Sequence, residues 1–282
     1  MLRVGTSGWS YPPSTGLGSW TGVFYPLLKT DELKFYSRYF NAVEINSTFY
    51  RPCNPKSAES WAKRTPYDFE FTVKVWQQFT HGNHEWTATD VEEFKSGIMP
   101  LVEATKLGCL LFQFPASFRH TPERMDRLKS LLAAFEEFPK AVELRHNSWS
   151  DALSILLEAG AVPAFIDEPK FKDSIRQEIV TQGSTNFYLR FHGRKFDKWW
   201  QHEHRNERYD YLYTAEELHP YVVRIKSILE DKDIQRAYIF FNNHPGAKAV
   251  ANAVMMRAEL DIPVKAALPE KFIETYPELM KR

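Results

Sequence analysis

Polar residues of the kinds that bind anions and move protons recur in this chain where apolar runs end. In order they are Ser7, Glu44 and Asn46, Lys74, Gln113, Glu143 and Arg145, Asp167, Arg190 and His192, and Asn242. Each lies in, or directly after, a short segment that is otherwise apolar, where a charge is costly unless something pairs with it. Glu44 and Glu143 suit acid/base or glycosidase chemistry, which needs carboxyl oxygens about 5 to 9.5 Å apart. Asp167 and His192 add two more titratable groups. Lys74, Arg145, Arg190 and His192 suit a phosphate or carboxylate, with arginine offering a two-pronged grip. The interleaved signs favour pairing and can poise groups with shifted pKa values. Glu44, Glu143, Asp167 and His192 are also ligand types for a hard divalent ion, but the neighbouring cations oppose a metal. The pairs His81-x-x-His84 and His202-x-His204 fall in polar loops, where solvated histidines are the norm. No cofactor is expected, a divalent metal being the weaker alternative. No Ser-His-Asp order, nucleophile elbow or zinc-finger spacing is present.

Alternation fixes which way these side chains point, because successive strand residues face opposite sides. Val43 and Ile45 suit the helix-facing side and turn Glu44 and Asn46 inward. Val142 and Leu144 do the same for Glu143 and Arg145, and Leu189 and Phe191 for Arg190 and His192. Strands are expected over 2–5, 42–46, 69–75, 108–112, 141–144, 162–166, 186–191 and 237–241. The segment 69–75 alternates strictly and reads as a strand with two different faces. Helices are expected over 32–40, 55–63, 89–106, 122–137, 151–159, 215–230 and 247–260. Pro12, Pro13, Gly16 and Gly18 exclude regular structure before Trp20. Strands alternating with helices mean a parallel sheet. Eight such units in 282 residues predict an α/β fold with one domain over 1–282, a single (β/α)8 TIM-type barrel. A doubly wound open sheet is the alternative, but no Gly-x-Gly-x-x-Gly follows the first strand. In such a barrel, functional groups gather at the C-terminal strand ends, where the polar residues fall.

Composition narrows the partners. Hydrophobic residues make up 43% and charged residues 26%, and 36 basic side chains balance 36 acidic ones. No global field therefore drives the chain to nucleic acid or membrane, although the segment 194–213 is locally rich in His, Trp, Arg and Tyr. The eight tryptophans include several in loops, where they can pack a lid or offer a stacking surface. Two cysteines, Cys53 and Cys109, imply no disulfide framework. Met1-Leu2-Arg3-Val4 runs straight into a strand with no signal peptide, and no apolar run approaches the roughly 20 residues of a membrane span. A cytoplasmic protein is expected.

The strand-end strings resemble a known family. They are Gly5-Thr6-Ser7-Gly8-Trp9-Ser10-Tyr11, Phe24-Tyr25-Pro26, Val43-Glu44-Ile45-Asn46-Ser47-Thr48-Phe49-Tyr50, Phe112-Gln113, Val142-Glu143-Leu144-Arg145-His146, Arg190 with His192-Gly193, and Phe241-Asn242-Asn243. In this order they are similar to domain-of-unknown-function family 72, also called YecE-like. The resemblance runs from the first strand to the last helix and implies a TIM-type barrel with no assigned reaction. The stretch 12–19 is longer than the usual link between the Tyr11 and Trp20 motifs.

The sequence therefore points to an enzyme with its site at the C-terminal barrel mouth, acting on a small anionic ligand such as a phosphate ester or phosphorylated sugar. Glu44, Glu143, His192 and Asp167 are the catalytic candidates. Ser7, Trp9, Tyr11, Asn46, Tyr50, Lys74, Gln113, Arg145, His146, Trp149, Arg190 and Asn242 are the binding candidates. Hydrolase, lyase and isomerase chemistry all draw on these groups. The alternatives are a nucleic-acid-binding or repair-associated barrel, carried by the 194–213 segment, and a small-molecule sensor without turnover. No oligomeric state follows from the sequence.

Overall fold

The computed structural model describes residues 1–82, 85–179 and 183–280. Eight strands form: β1 (Leu2–Thr6), β2 (Ala42–Ile45), β3 (Glu70–Lys74), β4 (Leu107–Gln113), β5 (Lys140–Glu143), β6 (Val162–Asp167), β7 (Asn186–Phe191) and β8 (Arg236–Phe241). All eight coincide with the expected segments to within two residues at either end. They are ordered β1-β8-β7-β6-β5-β4-β3-β2, so from β2 onward each strand lies beside its successor, as short crossovers through intervening helices require. The pairs β1/β8, β3/β4, β4/β5 and β5/β6 are parallel. Eight parallel strands with helices between them make this an α/β protein of the (β/α)8 TIM type. Among the described residues, no helix is long and apolar enough to cross a membrane.

The chain divides into two compact units, a first of residues 1–43, 166–169 and 189–282 and a second of 44–165 and 170–188. In the first, the hydroxyl of Tyr36, on helix Glu32–Tyr36, accepts from Thr6 N at 2.9 Å and donates to Ala42 O at 3.2 Å. One phenol thus ties the end of β1 to the start of β2. Helix Ala215–Leu229 begins with a Thr214/Glu217 capping box, which satisfies N–H groups that have no intrahelical partner. Phe191 and Phe241 stack at 4.6 Å, and Phe191 meets Tyr213 and Tyr221 edge-on. Phe191 and Phe241 therefore face the helix layer, and Arg190, His192 and Asn242 face away from it.

In the second unit, Asn54 and Thr121 cap helices Pro55–Lys63 and Pro122–Ala133, each with proline in the first turn, and a Thr87/Asp90 capping box starts Ala88–Glu103. Phe79, Phe94, Phe112 and Phe135 pack edge-to-face between the helices and β4. Two buried lysines finish helix C-termini below the strands. Lys106 Nζ donates to Ala62 O, Thr65 O and Thr65 Oγ1, and Lys140 Nζ to the carbonyls of Phe135, Glu136 and Phe138. A cation there complements the negative end of the helix dipole and satisfies carbonyls with no intrahelical donor.

Several expectations change. Every residue of β3 is buried, Glu70, Thr72 and Lys74 included, so both faces of that strand are interior. Residues 13–18 do form regular structure, a 3-10 segment broken at Gly16, whose φ of 58° resets the chain direction. The expected helix 151–159 splits into a 3-10 segment, Asn147–Ala152, and a short helix, Ser154–Glu158. Helices 32–40 and 122–137 stop early, at Tyr36 and Ala133, and 89–106 closes at Glu103 before Thr105 turns to a positive φ of 55°. Gln77–Thr80, Arg205–Tyr209 and Glu270–Thr275 are short helical pieces too brief for a periodic signal. Cys53 and Cys109 are free thiols.

Gly5 is required by a close approach. A Cβ there would lie 2.2 Å from Ala42 O and 2.8 Å from the Tyr36 hydroxyl. Since that backbone cannot yield without breaking the Tyr36 tie, Gly5→Ala is expected to cost about 3 kcal/mol. Urea unfolding would register this as a lowered midpoint, and an unchanged midpoint would show that the two segments are free to part.

Candidate functional site

Polar side chains collect at the C-terminal strand ends of each unit, and the two clusters have different electrostatics. In the second unit, Glu44 on β2 is fully buried, and Tyr188 Oη donates to its Oε2 at 2.8 Å. Tyr188 and Thr72 share a hydrogen bond of 2.9 Å, extending the buried chain to β3. Thr72 sits two residues before Lys74, and Tyr188 two before Arg190, so each shares the face of a predicted site residue.

At the ends of β3 and β5 a mixed-charge cluster forms. Glu143, at the end of β5, is fully buried, and Arg145 grips its Oε1 through Nε at 2.7 Å and Nη2 at 2.6 Å. Gln113, beside Glu143 in the β4/β5 register, is half-buried. Lys74 Nζ stands 4.0 Å from the centroid of the Phe49 ring, a cation–π contact. The Thr48 hydroxyl donates to Lys74 O at 2.6 Å, which fixes the 3-10 segment Ser47–Phe49 against β3. Phe49 meets the His81 ring edge-on at 4.9 Å, and His81 Nδ1 lies 2.9 Å from Thr80 Oγ1. Burial, then the fields of Lys74 and Arg145, lower the His81 pKa to about 4 against the opposing pull of Glu143. At neutral pH that imidazole is uncharged. The structure thus gathers Lys74, Glu143 and Arg145 around a histidine that sequence reasoning weighed only as a metal ligand in His81-x-x-His84. His84 itself lies outside the described residues.

In the first unit the dominant feature is Asp167. Its Oδ1 accepts from Arg194 Nε at 2.9 Å and Tyr213 Oη at 2.6 Å; its Oδ2 accepts from Arg194 Nη2 at 2.8 Å and from the Tyr221 hydroxyl. Burial alone would raise this carboxyl, but the Arg194 and tyrosine bonds outweigh it and hold the pKa below the usual carboxylate range. Four donors fill the acceptor positions of a carboxylate, so Asp167 is an anchor for the 194–213 segment and not the acid/base group its sequence position suggested. Tyr211 and Tyr213, on the far side of that segment, are pushed up by burial and then by the neighbouring carboxylates, Tyr211 to about 12.

Arg190 and His192 are almost fully buried beside Asn242. Arg190 Nη1 lies 3.3 Å from His192 Nε2, and Asn242 Nδ2 lies 3.0 Å from His192 Nδ1. A guanidinium can only donate, so Nε2 is the acceptor and the ring proton sits on Nδ1. Asn242 then turns its carbonyl oxygen, not its amide nitrogen, toward the ring. His192 is a bridge between Arg190 and Asn242. Ser7 Oγ is buried without a hydrogen-bond partner. Tyr11 Oη donates to Ser7 O, and its ring stacks on His244 at 4.6 Å.

The remaining candidates scatter. Trp149 is fully buried, with Nε1 donating to Phe118 O at 2.7 Å and its ring stacked on Phe118; it packs a loop and is no ligand wall. His146 Nδ1 accepts from Ser148 N at 3.1 Å, leaving the proton on a buried Nε2 that has no partner. Asn46 Oδ1 is likewise buried and unpartnered, Tyr50 is half-exposed, and Trp9 contributes its carbonyl to the Tyr25 hydroxyl. Among the described residues, no three His, Cys, Asp or Glu side chains are grouped to hold a metal. His202 contacts Lys198 O and Arg208, and His204 starts the Arg205–Tyr209 segment, so both serve the loop.

The Asp167 assignment has a thermodynamic consequence. Its lowered pKa adds stability that is present above the unfolded-state value, about 3.9, and is lost as pH falls below it. Asp167→Asn removes that term and strands Arg194; since the Arg194 side chain is 35% exposed, solvent limits the cost to roughly 2 kcal/mol. Acid-unfolding curves of the two proteins should converge below about pH 4. Parallel curves down to pH 2 would show that the carboxylate is not the anchor.

Comparison with known proteins agrees with this architecture. Residues 3–275 match the family described as "Protein of unknown function DUF72". The chain is 29% identical over 293 aligned positions to the UPF0759 protein YunF of Bacillus subtilis, covering 96% of this chain and 99% of that one. It is 32% identical to the UPF0759 protein YecE of Escherichia coli K12 over 149 positions, about half of each chain (52% and 49%). The crystal structure of a DUF72 family protein from Thermotoga maritima superposes with a TM-score of 0.82 at 32% identity, covering 93% of this chain and 99% of that one. One from Enterococcus faecalis, at 24% identity, shares the fold with a TM-score of 0.79, covering 93% and 96%. With the match spanning nearly the whole chain, from before the first strand's end to the last helix, the protein belongs to the DUF72 family.

Proposed function

We propose that this protein is an enzyme acting by acid/base chemistry on an anionic substrate, of the phosphate-ester or phosphosugar kind, at the C-terminal strand ends of the second unit. The observation that carries the reading is the cluster of Lys74, His81, Glu143 and Arg145 at the ends of β3 and β5 and the turn after β3. Lys74 and Arg145 supply the attraction, and arginine's planar fork suits an oxyanion. Glu143 is the acid/base group nearest to them, and Glu44, held by Tyr188, is the second carboxylate. Gln113 and Asn46, whose buried Oδ1 has no partner among the described residues, would orient the substrate. In the first unit, Arg190, His192 and Asn242 form a polar group of their own, to which a binding role is assigned.

A nucleic-acid-binding reading draws on Phe196 and Trp200, which are 61% and 63% exposed and could stack on bases. The electrostatics count against it. The 194–213 segment carries five Lys or Arg and four Asp or Glu side chains. Arg194 is committed to Asp167 and Lys198 to Glu207. A phosphate-tracking groove needs an excess of uncommitted cations.

The test is a panel of phosphate monoesters, phosphorylated sugars and plain sugars, turned over by wild type and by Glu143→Gln. Wild type should act on the phosphorylated compounds, and the variant should lose roughly 100-fold or more in kcat, the usual contribution of a general acid or base. Equal turnover by both would take Glu143 out of the chemistry. Turnover confined to plain sugars would refute the anionic substrate.

A further inference from the structure

We infer that His81 is a binding group of this anion site and that it takes up one proton when the anion enters. The inference rests on the reading of the Lys74–Arg145 cluster as anion-binding and adds the state of its histidine.

Phe49 is held between Lys74, 4.0 Å from its ring centre, and His81, whose ring meets its edge at 4.9 Å. His81 follows the four-residue helix Gln77–Thr80, and its N–H closes onto Gln77 O, so the ring is placed by backbone and not by a mobile loop. Arg127, from helix Pro122–Ala133, donates to Phe79 O and Gly82 O and pins the same turn on either side of His81. Thr80 and Phe49 touch the imidazole, and Lys74 from β3 and Glu143 and Arg145 from β5 and the residues after it act on it through their charges.

The charges then dictate the behaviour. Burial, Lys74 and Arg145 all oppose a proton on His81, and Glu143 favours it. An oxyanion lying against Lys74 and Arg145 would cancel their fields and add a negative charge within reach of the ring. Two of the three influences that keep the histidine neutral would be cancelled, and a new attraction for the proton would appear. Binding the anion and binding the proton are therefore linked, and by reciprocity the anion binds more tightly as pH falls. A permanent third cation would attract the anion at all pH values; this histidine does so only once the anion is present.

Sulfate is the probe, because it stays a dianion over the range needed. The His81 ring resonances, assigned by their absence in His81→Gln, would be followed by NMR against pH with and without saturating sulfate. The midpoint should move from about 4 upward by about two pH units, toward the ordinary histidine range. Wild type should then bind sulfate about tenfold more tightly at pH 5 than at pH 7. His81→Gln should bind it with a nearly flat profile over the same interval. Sulfate bound in a Lys74-dependent manner with an unmoved His81 midpoint would overturn the inference and leave the anion site standing. Absence of sulfate binding, or binding indifferent to Lys74→Met and Arg145→Met, would overturn both.

Discussion

A charge on a strand that is covered on both faces has to be answered by another group on a neighbouring element, and this requirement organises the protein. The parallel strands are buried along nearly their whole length, so their polar residues have no bulk water to turn to. Three of the buried carboxylates show how they are answered: Tyr188 donates to Glu44, Arg145, two residues on, to Glu143, and Arg194 with two tyrosines to Asp167. The lysines near the strand starts obey the same rule with opposite sign, since Lys106 and Lys140 each gather three acceptors left over by helix ends. The chain supplies partners from nearby, as for Glu143, or across long separations, as for Glu44 and Asp167, because the alternative is a desolvated, unpaired charge.

Where the answer is complete, the group is structural; where it is shared among several charges, it can respond to a ligand. Asp167 is the complete case. Its oxygens receive four bonds, and its low pKa follows from the number and charge of those donors winning over burial. Glu143 is the shared case: Arg145 converges on one oxygen, and the pair stands among Lys74, His81 and Phe49. Two strand-end carboxylates therefore have two different uses, and the difference lies in the donors that surround each.

This is also why the sequence disclosed the fold so much better than the site. The eight strands are legible because an apolar run bounded by turn residues is a local signal, and the caps Asn54, Thr87, Thr121 and Thr214 are local too. The helices that ended early did so through tertiary contacts and positive-φ turns, as at Thr105, which propensity does not encode. Glu44, Glu143 and Lys74 are legible as charges in apolar strands. Their partners are less so, although the two-residue spacing that singles out Lys74 and Arg190 also marks Thr72 and Tyr188 as sharing their faces. The strand-end position of Asp167 is visible in the sequence and suggests a catalytic group, whereas Arg194, Tyr213 and Tyr221 reach it from 27 to 54 residues away. His81 left a signal only as half of a histidine pair. Its surroundings, not its spacing, make it distinctive.

The choice of histidine at position 81 can be argued from what the alternatives would cost. A lysine or arginine there would stand within the fields of Lys74 and Arg145 with Glu143 to offset three cations, and the fold would carry that repulsion in a half-buried turn. An apolar residue would pack against Phe49 without penalty but would offer an entering oxyanion nothing. Histidine avoids both costs, because it can shed its proton when the cations are uncompensated and regain it when they are neutralised. Folding then favours the uncharged ring and ligand binding favours the charged one. Only a side chain whose ordinary pKa lies near neutrality can satisfy both demands at the same atom.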